Sequence, residues 1–115
     1  MSEEETLRVV AAFNRAWGDH DLDAALSLVT EDCVFENTSP SPDGTVFRGR
    51  EEIAGAWREI FDNPGSLFEA EETFAAGDRA VQRWRYSWGD GHVRGVDVVR
   101  VRDGKVAEKL SYVKG

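Results

Sequence analysis

The sequence holds one cysteine, two histidines and three prolines in 115 residues, and each scarcity closes off a class of protein. A lone Cys33 cannot form an internal disulfide, and its place between Asp32 and Val34 reads as a strand residue entering a core. His20 and His92 stand far apart with no metal-ligand spacing, so no metal and no other cofactor is expected. No apolar stretch approaches the roughly 18 residues of a membrane span. The opening Met-Ser-Glu-Glu-Glu is acidic, where a secretory leader is basic and then apolar, so the chain reads as a cytoplasmic protein with no membrane partner. Basic residues are also scarce. Fourteen against 22 acidic ones leave a formal charge of −8, which repels phosphate backbones and argues against nucleic acid. Arg94, Arg100, Arg102, Lys105 and Lys109 form at most a local stripe, and paired charges on a solvated sheet face explain them as well.

Hydrophobic residues at 41% and charged ones at 31% are the composition of a globular protein, and the length suits one domain spanning residues 1–115. Ser2 followed by Glu5 makes a capping box, after which Leu7, Val10, Ala11, Asn14 and Trp17 recur at helical spacing until Gly18. Asp21 can cap a second, shorter helix with Leu22, Ala25, Leu26 and Val29 on one stripe. A short strand from Asp32 to Asn37 leads into an irregular loop, Thr38-Ser-Pro-Ser-Pro-Asp-Gly44. From about Arg50 a third helix aligns Ile53, Ala56, Trp57, Ile60 and Phe61, and Asn63-Pro-Gly65 stops it. Past Ser66, the turns Gly77-Asp78, Gly89-Asp90-Gly91 and Asp103-Gly104 separate four strand-like runs. Three helices followed by an antiparallel meander predict an α+β fold with its helices gathered on one face of the sheet.

Turn geometry then assigns the faces. A two-residue turn at Asp103-Gly104 pairs Arg102 with Lys105, Val101 with Val106, Val99 with Glu108 and Asp97 with Leu110. Val93, Gly95, Asp97, Val99, Val101, Val106, Leu110 and Tyr112 share the inner, apolar face, and Arg94, Arg100, Arg102, Lys105 and Lys109 look outward. A tight turn at Asp90-Gly91 pairs Trp88 with Val93 and Trp84 with Asp97, turning Trp84, Tyr86 and Trp88 inward and Arg83, Arg85 and Ser87 outward. A bulge would exchange the faces of a strand and bring Arg85 in.

Asp97 is thus the ionisable residue in an apolar wall, where it must bind a proton or find a cation. Arg85 or Lys109 within ~4 Å would supply about 4 kcal/mol of attraction at an effective dielectric near 20, making a structural pair. The register leaves Asp97 without such a partner, available for general acid or base work. Asn37, at a strand end, either caps its loop or orients a ligand. Trp17 and Trp57 sit on helix stripes that serve a core or a cavity wall. Glu108 falls at a solvated rim of Asp97's face and His20 in an exposed connection. On the outer face, Val96, Val98, Ala107 and Val113 lie among charged residues. A sheet apolar on both sides usually covers the second one, which predicts a homodimer.

The order of elements resembles the nuclear-transport-factor-2-like superfamily, especially its SnoaL-like and ketosteroid-isomerase-like branch. The resemblance spans the chain and rests on Asn14-Arg-Ala-Trp-Gly-Asp-His-Asp-Leu-Asp23, Phe47-Arg-Gly-Arg-Glu-Glu-Ile53 and Gly95-Val-Asp-Val-Val-Arg-Val-Arg-Asp-Gly-Lys-Val106. It implies a cone-shaped domain, three N-terminal helices packed on the concave face of a curved, mainly antiparallel sheet. Carried over by residue, Asp97 falls where ketosteroid isomerases have a protonated aspartic acid in the oxyanion hole. Their general-base aspartate falls on Asn37 and their oxyanion tyrosine on Phe13, so steroid isomerisation by that mechanism is not expected. Limonene epoxide hydrolases look similar at Phe35-Glu36-Asn37 and in the proline-rich loop. Their catalytic arginine falls near Arg85, but their two aspartates fall on Ser87 and Ser111.

The resemblance implies a small-molecule pocket. Its first reading is a cofactor-independent isomerase, lyase or hydrolase, doing acid–base chemistry such as isomerisation, cyclisation or dehydration on a small, mostly apolar carbonyl compound. Asp97 and Asn37 are the catalytic candidates, and Phe13, Trp17, Phe35, Trp57, Trp84, Tyr86, Arg85 and Tyr112 the pocket. The alternatives are a binder of an apolar ligand without turnover, and a dimeric interaction domain whose pocket its own aromatic side chains fill.

Overall fold

The computed structural model describes residues 2–115, and Met1 lies outside the described residues. In chain order the elements are α1 (Glu3–Gly18), α2 (Leu22–Ser27), β1 (Val29–Glu36), β2 (Val46–Arg48), α3 (Gly49–Phe61), β3 (Ser66–Ala76), β4 (Arg79–Trp88), β5 (Gly91–Arg102) and β6 (Lys105–Val113). The capping box at α1 is formed: Ser2 Oγ accepts from the Glu5 backbone N–H at 3.1 Å, and Glu5 accepts from the Ser2 N–H. Asp21 caps α2 through the Ala24 N–H at 3.1 Å.

The buried face of α1 is Thr6, Val10, Phe13, Ala16 and Trp17, which leaves Leu7 and Ala11, expected on the apolar stripe, in solvent. Thr6 accounts for the rotation, since its hydroxyl donates to Gly77 O at 2.7 Å and pins the β3–β4 turn onto the first turn of α1. Helix α2 stops at Ser27, so Val29 belongs to β1 and not to the helical stripe. Two adjacent β-branched residues, Val29 and Thr30, favour the extended chain there.

The six strands form one sheet in the order β2-β1-β6-β5-β4-β3, with β1 and β6 parallel and the other neighbours antiparallel. Strand β2 was not expected from the sequence. The proline-rich loop returns the chain so that Val46–Arg48 pairs with Val34–Glu36, closed by the Asn37 N–H donating to Thr45 O at 3.0 Å. All three helices lie on one face, α1 against β3 and β4, α3 against β1 and β2. Between them sits an aromatic core around Trp57, fully buried with Phe13, Trp17 and Phe35 ring centroids 5.6, 5.2 and 5.5 Å away. Among the described residues no helix is long and apolar enough to cross a membrane.

The last hairpin decides the site. Arg102 pairs with Lys105 and Val101 with Val106 as the turn predicts, but the register then shifts. Ala107 is the extra residue of a bulge, so Arg100 faces Glu108, Val99 faces Lys109 and Asp97 faces Ser111. One inserted residue turns over the rest of β6. Lys109 and Ser111, 7% and 9% exposed, come inside, while Leu110, Glu108 and Tyr112 move to the outer face, Tyr112 at 53% exposure. In the β4–β5 hairpin the turn is Gly89-Asp90, which sets Trp88 opposite Gly91 and Trp84 opposite Gly95, and Asp97 opposite Gln82. That displacement is an even number of residues, so Trp84 stays inside and Arg83 and Arg85 stay out.

Candidate functional site

Asp97, in the middle of β5 and 1% exposed, is surrounded by donors. Trp84 Nε1 donates to Oδ1 at 2.9 Å and Ser111 Oγ to the same oxygen at 2.7 Å, while Lys109 Nζ lies 3.3 Å from Oδ2. Gly95 makes the first of these contacts possible: a Cβ there would meet the Trp84 ring and Tyr112 O, so only glycine lets the indole cross β5. With two hydrogen-bond donors on Oδ1 and an ammonium beside Oδ2, Asp97 is engaged as an acceptor and as an ion-pair partner. Of the two outcomes open to Asp97, the unpartnered one that the register favoured is corrected to the pair with Lys109, and the cause is the Ala107 bulge, which swings Lys109 inward.

Lys109 Nζ also donates to Ser111 Oγ at 3.2 Å and sits 5.0 Å from the Trp17 ring centroid and 4.9 Å from that of Phe35. Two aromatic faces and one carboxylate replace the water this ammonium gave up. An ammonium carries three N–H donors; Ser111 Oγ takes one, and Asp97 Oδ2 stands 3.3 Å away as the counter-ion.

Lys109 and Ser111 line a pocket of about 160 Å³ whose other walls are Trp17, Phe35, Asn37, Thr38, Ile60, Phe68, Trp84, Tyr86 and Val93. Behind it is a more enclosed void of about 10 Å³ lined by Val10, Phe13, Asn14, Trp17, Phe68, Gln82, Asp97, Val99 and Lys109. Trp17, Phe68 and Lys109 line both and form the partition. The back wall is fixed by a reciprocal amide pair, in which Asn14 Nδ2 donates to Gln82 Oε1 at 2.6 Å and Gln82 Nε2 to Asn14 Oδ1 at 3.0 Å. Thr73 Oγ1 donates to Gln82 Oε1 as well, at 2.8 Å. Trp17 Nε1 is buried without a hydrogen-bond partner, on a ring that lines the pocket.

Of the expected pocket residues, Trp17, Phe35, Trp84 and Tyr86 line the pocket and Phe13 the inner void. Asn37 stands at the pocket's edge, but its Oδ1 accepts from the backbone N–H groups of Ser39 at 3.3 Å and Thr45 at 2.8 Å. It caps the loop, as strand-end asparagines do. Trp57 is fully buried behind the wall and touches neither cavity. Arg85 is exposed on the outer face, its Nε donating to Ser87 Oγ at 3.3 Å, and Tyr112 and Glu108 are outside through the bulge. His20, expected in solvent, is half-buried with its ring nitrogens 3.2 Å from Phe61 O and 2.9 Å from Ser66 O. It ties the α1–α2 connection to the end of α3 and the start of β3. Ser111, Phe68 and Gln82 are site residues that sequence reasoning left out, and Lys109, named there as one of two possible cations for Asp97, was placed on the outer face.

Among the described residues no three His, Cys, Asp or Glu side chains cluster to hold a metal ion. Cys33 is fully buried, and burial pushes its thiol up to about 12, which keeps it protonated and inert at neutral pH.

Residues 10–109 match the SnoaL-like domain. No curated protein matches the chain. Among solved structures, an NTF2-like protein of unknown function from Mesorhizobium loti is 46% identical, with a TM-score of 0.90 over 98% of this chain and 93% of that one. A candidate ketosteroid isomerase from Kribbella flavida is 18% identical, with a TM-score of 0.85 over 98% and 80% of the two chains. An LEH-like epoxide hydrolase from M. tuberculosis is 22% identical, with a TM-score of 0.79 over 97% and 84%. At such identities the last two share the fold.

Proposed function

Because the chain belongs to the SnoaL-like family and carries an apolar pocket with an ammonium in its wall, we propose that it binds a small, mostly apolar carbonyl compound whose oxygen accepts from Lys109 Nζ. The observation that carries this reading is Lys109 Nζ in the pocket wall between the Trp17 and Phe35 rings, where one hydrogen bond to Ser111 and the ion pair to Asp97 leave it donor capacity and an aromatic setting gives a hydrogen bond to a ligand little competition from water. The pocket sets the size. At about 160 Å³ it is close to the ~150 Å³ cavity that accommodates benzene, and below the ~300 Å³ at which pockets for drug-sized ligands begin. A compound with a single ring fits it.

Acetophenone and α-methylstyrene, equal in shape but with and without the carbonyl oxygen, test the reading in an NMR titration. A hydrogen bond to a charged donor is worth about 1.5–3 kcal/mol, so acetophenone should bind about tenfold or more tightly. Equal affinities, or no binding of either, would refute the proposal.

Catalysis is the second reading, favoured by Asp97 lying just across Lys109 from the pocket. An ammonium on a carbonyl oxygen stabilises the enolate formed when a neighbouring C–H gives its proton to a water or hydroxide from solvent, since the pocket wall itself holds no carboxylate or imidazole to take it. That step is common to isomerase-, cyclase- and dehydratase-type chemistry. The likeness in fold to a candidate ketosteroid isomerase fits such chemistry. In D2O the enzyme reading expects the methyl protons of acetophenone to exchange faster than in buffer. Exchange at the buffer rate leaves a binder.

The chain is also proposed to act as a homodimer through the outer sheet face. Val81, Val98 and Leu110 are adjacent there, with Val96 and Tyr112 alongside and Arg83, Arg94, Arg100 and Glu108 around them. Charges of both signs around an apolar strip suit a two-fold contact of the face with itself. Sedimentation at micromolar concentration should give twice the 12.8 kDa subunit mass, and Val98→Glu the single mass. A wild-type monomer sinks this proposal.

A further inference from the structure

Resting on the pocket reading above, we infer that the site selects an uncharged ligand and rejects its carboxylate counterpart, and that Asp97 sets this preference. A buried lysine facing an apolar pocket looks at first like an anion site. The charge in the wall of this one is already balanced. Lys109 is 7% and Asp97 1% exposed, and their polar atoms are 3.3 Å apart, so the pair presents a dipole and no net charge to the pocket.

A ligand carboxylate placed on Lys109 Nζ would put a second anion beside Asp97, and burying it would require a second cation. The pocket wall holds none: besides Lys109, its residues are Trp, Phe, Tyr, Ile, Val, Asn, Thr and Ser. The sheet arginines Arg83 and Arg85 face the other side. The approach is unfavourable too. The groove that shares Asn37, Thr38 and Ser111 with the pocket carries Glu36 and Asp43, and the chain as a whole is at −8. Each of these repels an anion. A neutral carbonyl meets none of these penalties and still takes an N–H of the ammonium. The ligands of this pocket are therefore ketones, aldehydes, esters or amides, not the corresponding acids.

Asp97 is a positioning residue in this scheme. It holds Lys109 in place and cancels its charge without touching the ligand. Asp97→Asn keeps an oxygen for the Trp84 N–H and the Ser111 hydroxyl but leaves the ammonium of Lys109 without its counter-ion.

Benzamide and benzoate, matched in shape and different in charge, are the probes, titrated by NMR into wild-type protein and the Asp97→Asn variant at neutral pH. Wild type should bind benzamide about tenfold or more tightly than benzoate. In Asp97→Asn the order should reverse, with benzoate gaining about tenfold. Benzoate equal to or tighter than benzamide on wild type overturns the inference while leaving the pocket reading intact. Binding of neither probe at millimolar concentration overturns both. An Asp97→Asn variant that binds the two in the wild-type order removes Asp97 as the determinant. Should that variant not fold, raising the salt concentration on wild type takes its place. Screening reaches the exposed mouth but not the buried pair, so a wild-type preference that vanishes in high salt overturns the role of Asp97.

Discussion

Replacing Lys109 with methionine is expected to lower the unfolding free energy by about 3–5 kcal/mol, the cost of leaving one member of a buried ion pair uncompensated. The methionine keeps most of the volume and the contacts with Trp17 and Phe35, so packing contributes little to the loss. What remains is Asp97, 1% exposed, still accepting from Trp84 and Ser111 but with no cation opposite Oδ2. The pair makes a second expectation. In Lys109→Met/Asp97→Asn the buried charge is gone, and the asparagine oxygen can accept from both remaining donors. The double variant should therefore recover most of what the single one loses, a strong departure from additivity for two residues in contact. Urea unfolding reads both, as a fall and a return of the midpoint at unchanged slope. A Lys109→Met variant within about 1 kcal/mol of wild type would place the pair in solvent, where ion pairs are worth no more than that.

That pair also shows where the sequence stops being informative. The parts of the fold set by neighbouring residues were legible: the Ser2–Glu5 capping box, Asp21 ahead of α2, the stop at Asn63-Pro-Gly65 and the turns between β3, β4, β5 and β6. The faces of β4 and β5 were legible even though the turn was placed one residue late, because the error displaced the pairing by an even step and side chains alternate with period two. Strand β6 had no such protection. A lysine in a strand is normally read as facing water, and the burial of Lys109 depends on a carboxylate one strand away, in Asp97, and on rings from α1 and β1. The local sign was Val106-Ala107, two apolar residues in succession just after the turn, which breaks the alternation as an inserted bulge residue does. Strand β2 was hidden for a related reason. Val46–Arg48 is three residues long, too short to show a period, and it is a strand only because β1 is there to pair with. His20 followed the same rule. The carbonyl oxygens nearest its ring nitrogens, Phe61 O and Ser66 O, are 41 and 46 residues away. Asp97 was therefore found as a residue that needed a partner, while the partner itself lay beyond what periodicity could tell.

Trp57 was expected in the pocket wall and belongs instead to the core, and the two placements predict different outcomes for Trp57→Ala. A wall residue already has a cavity on one side, so truncation removes fewer contacts and enlarges a space that exists. Trp57 has no such side: it is fully buried, with Phe13, Trp17, Phe35 and Phe61 ring centroids 5.2 to 6.3 Å away. Its removal leaves a hole that rigid aromatic neighbours close poorly, so the expected loss is about 3–5 kcal/mol, at the level of large core truncations. Trp57→Phe should cost less, because a ring remains between α3 and β1 and because the indole N–H, buried without a partner, goes with the substitution. The order wild type, Trp57→Phe, Trp57→Ala in urea midpoint is the signature of a packing role. A Trp57→Ala loss under about 1.5 kcal/mol, together with tighter binding of a bulkier ketone, would return Trp57 to the pocket wall, since only a residue that borders the pocket can yield its volume to a ligand.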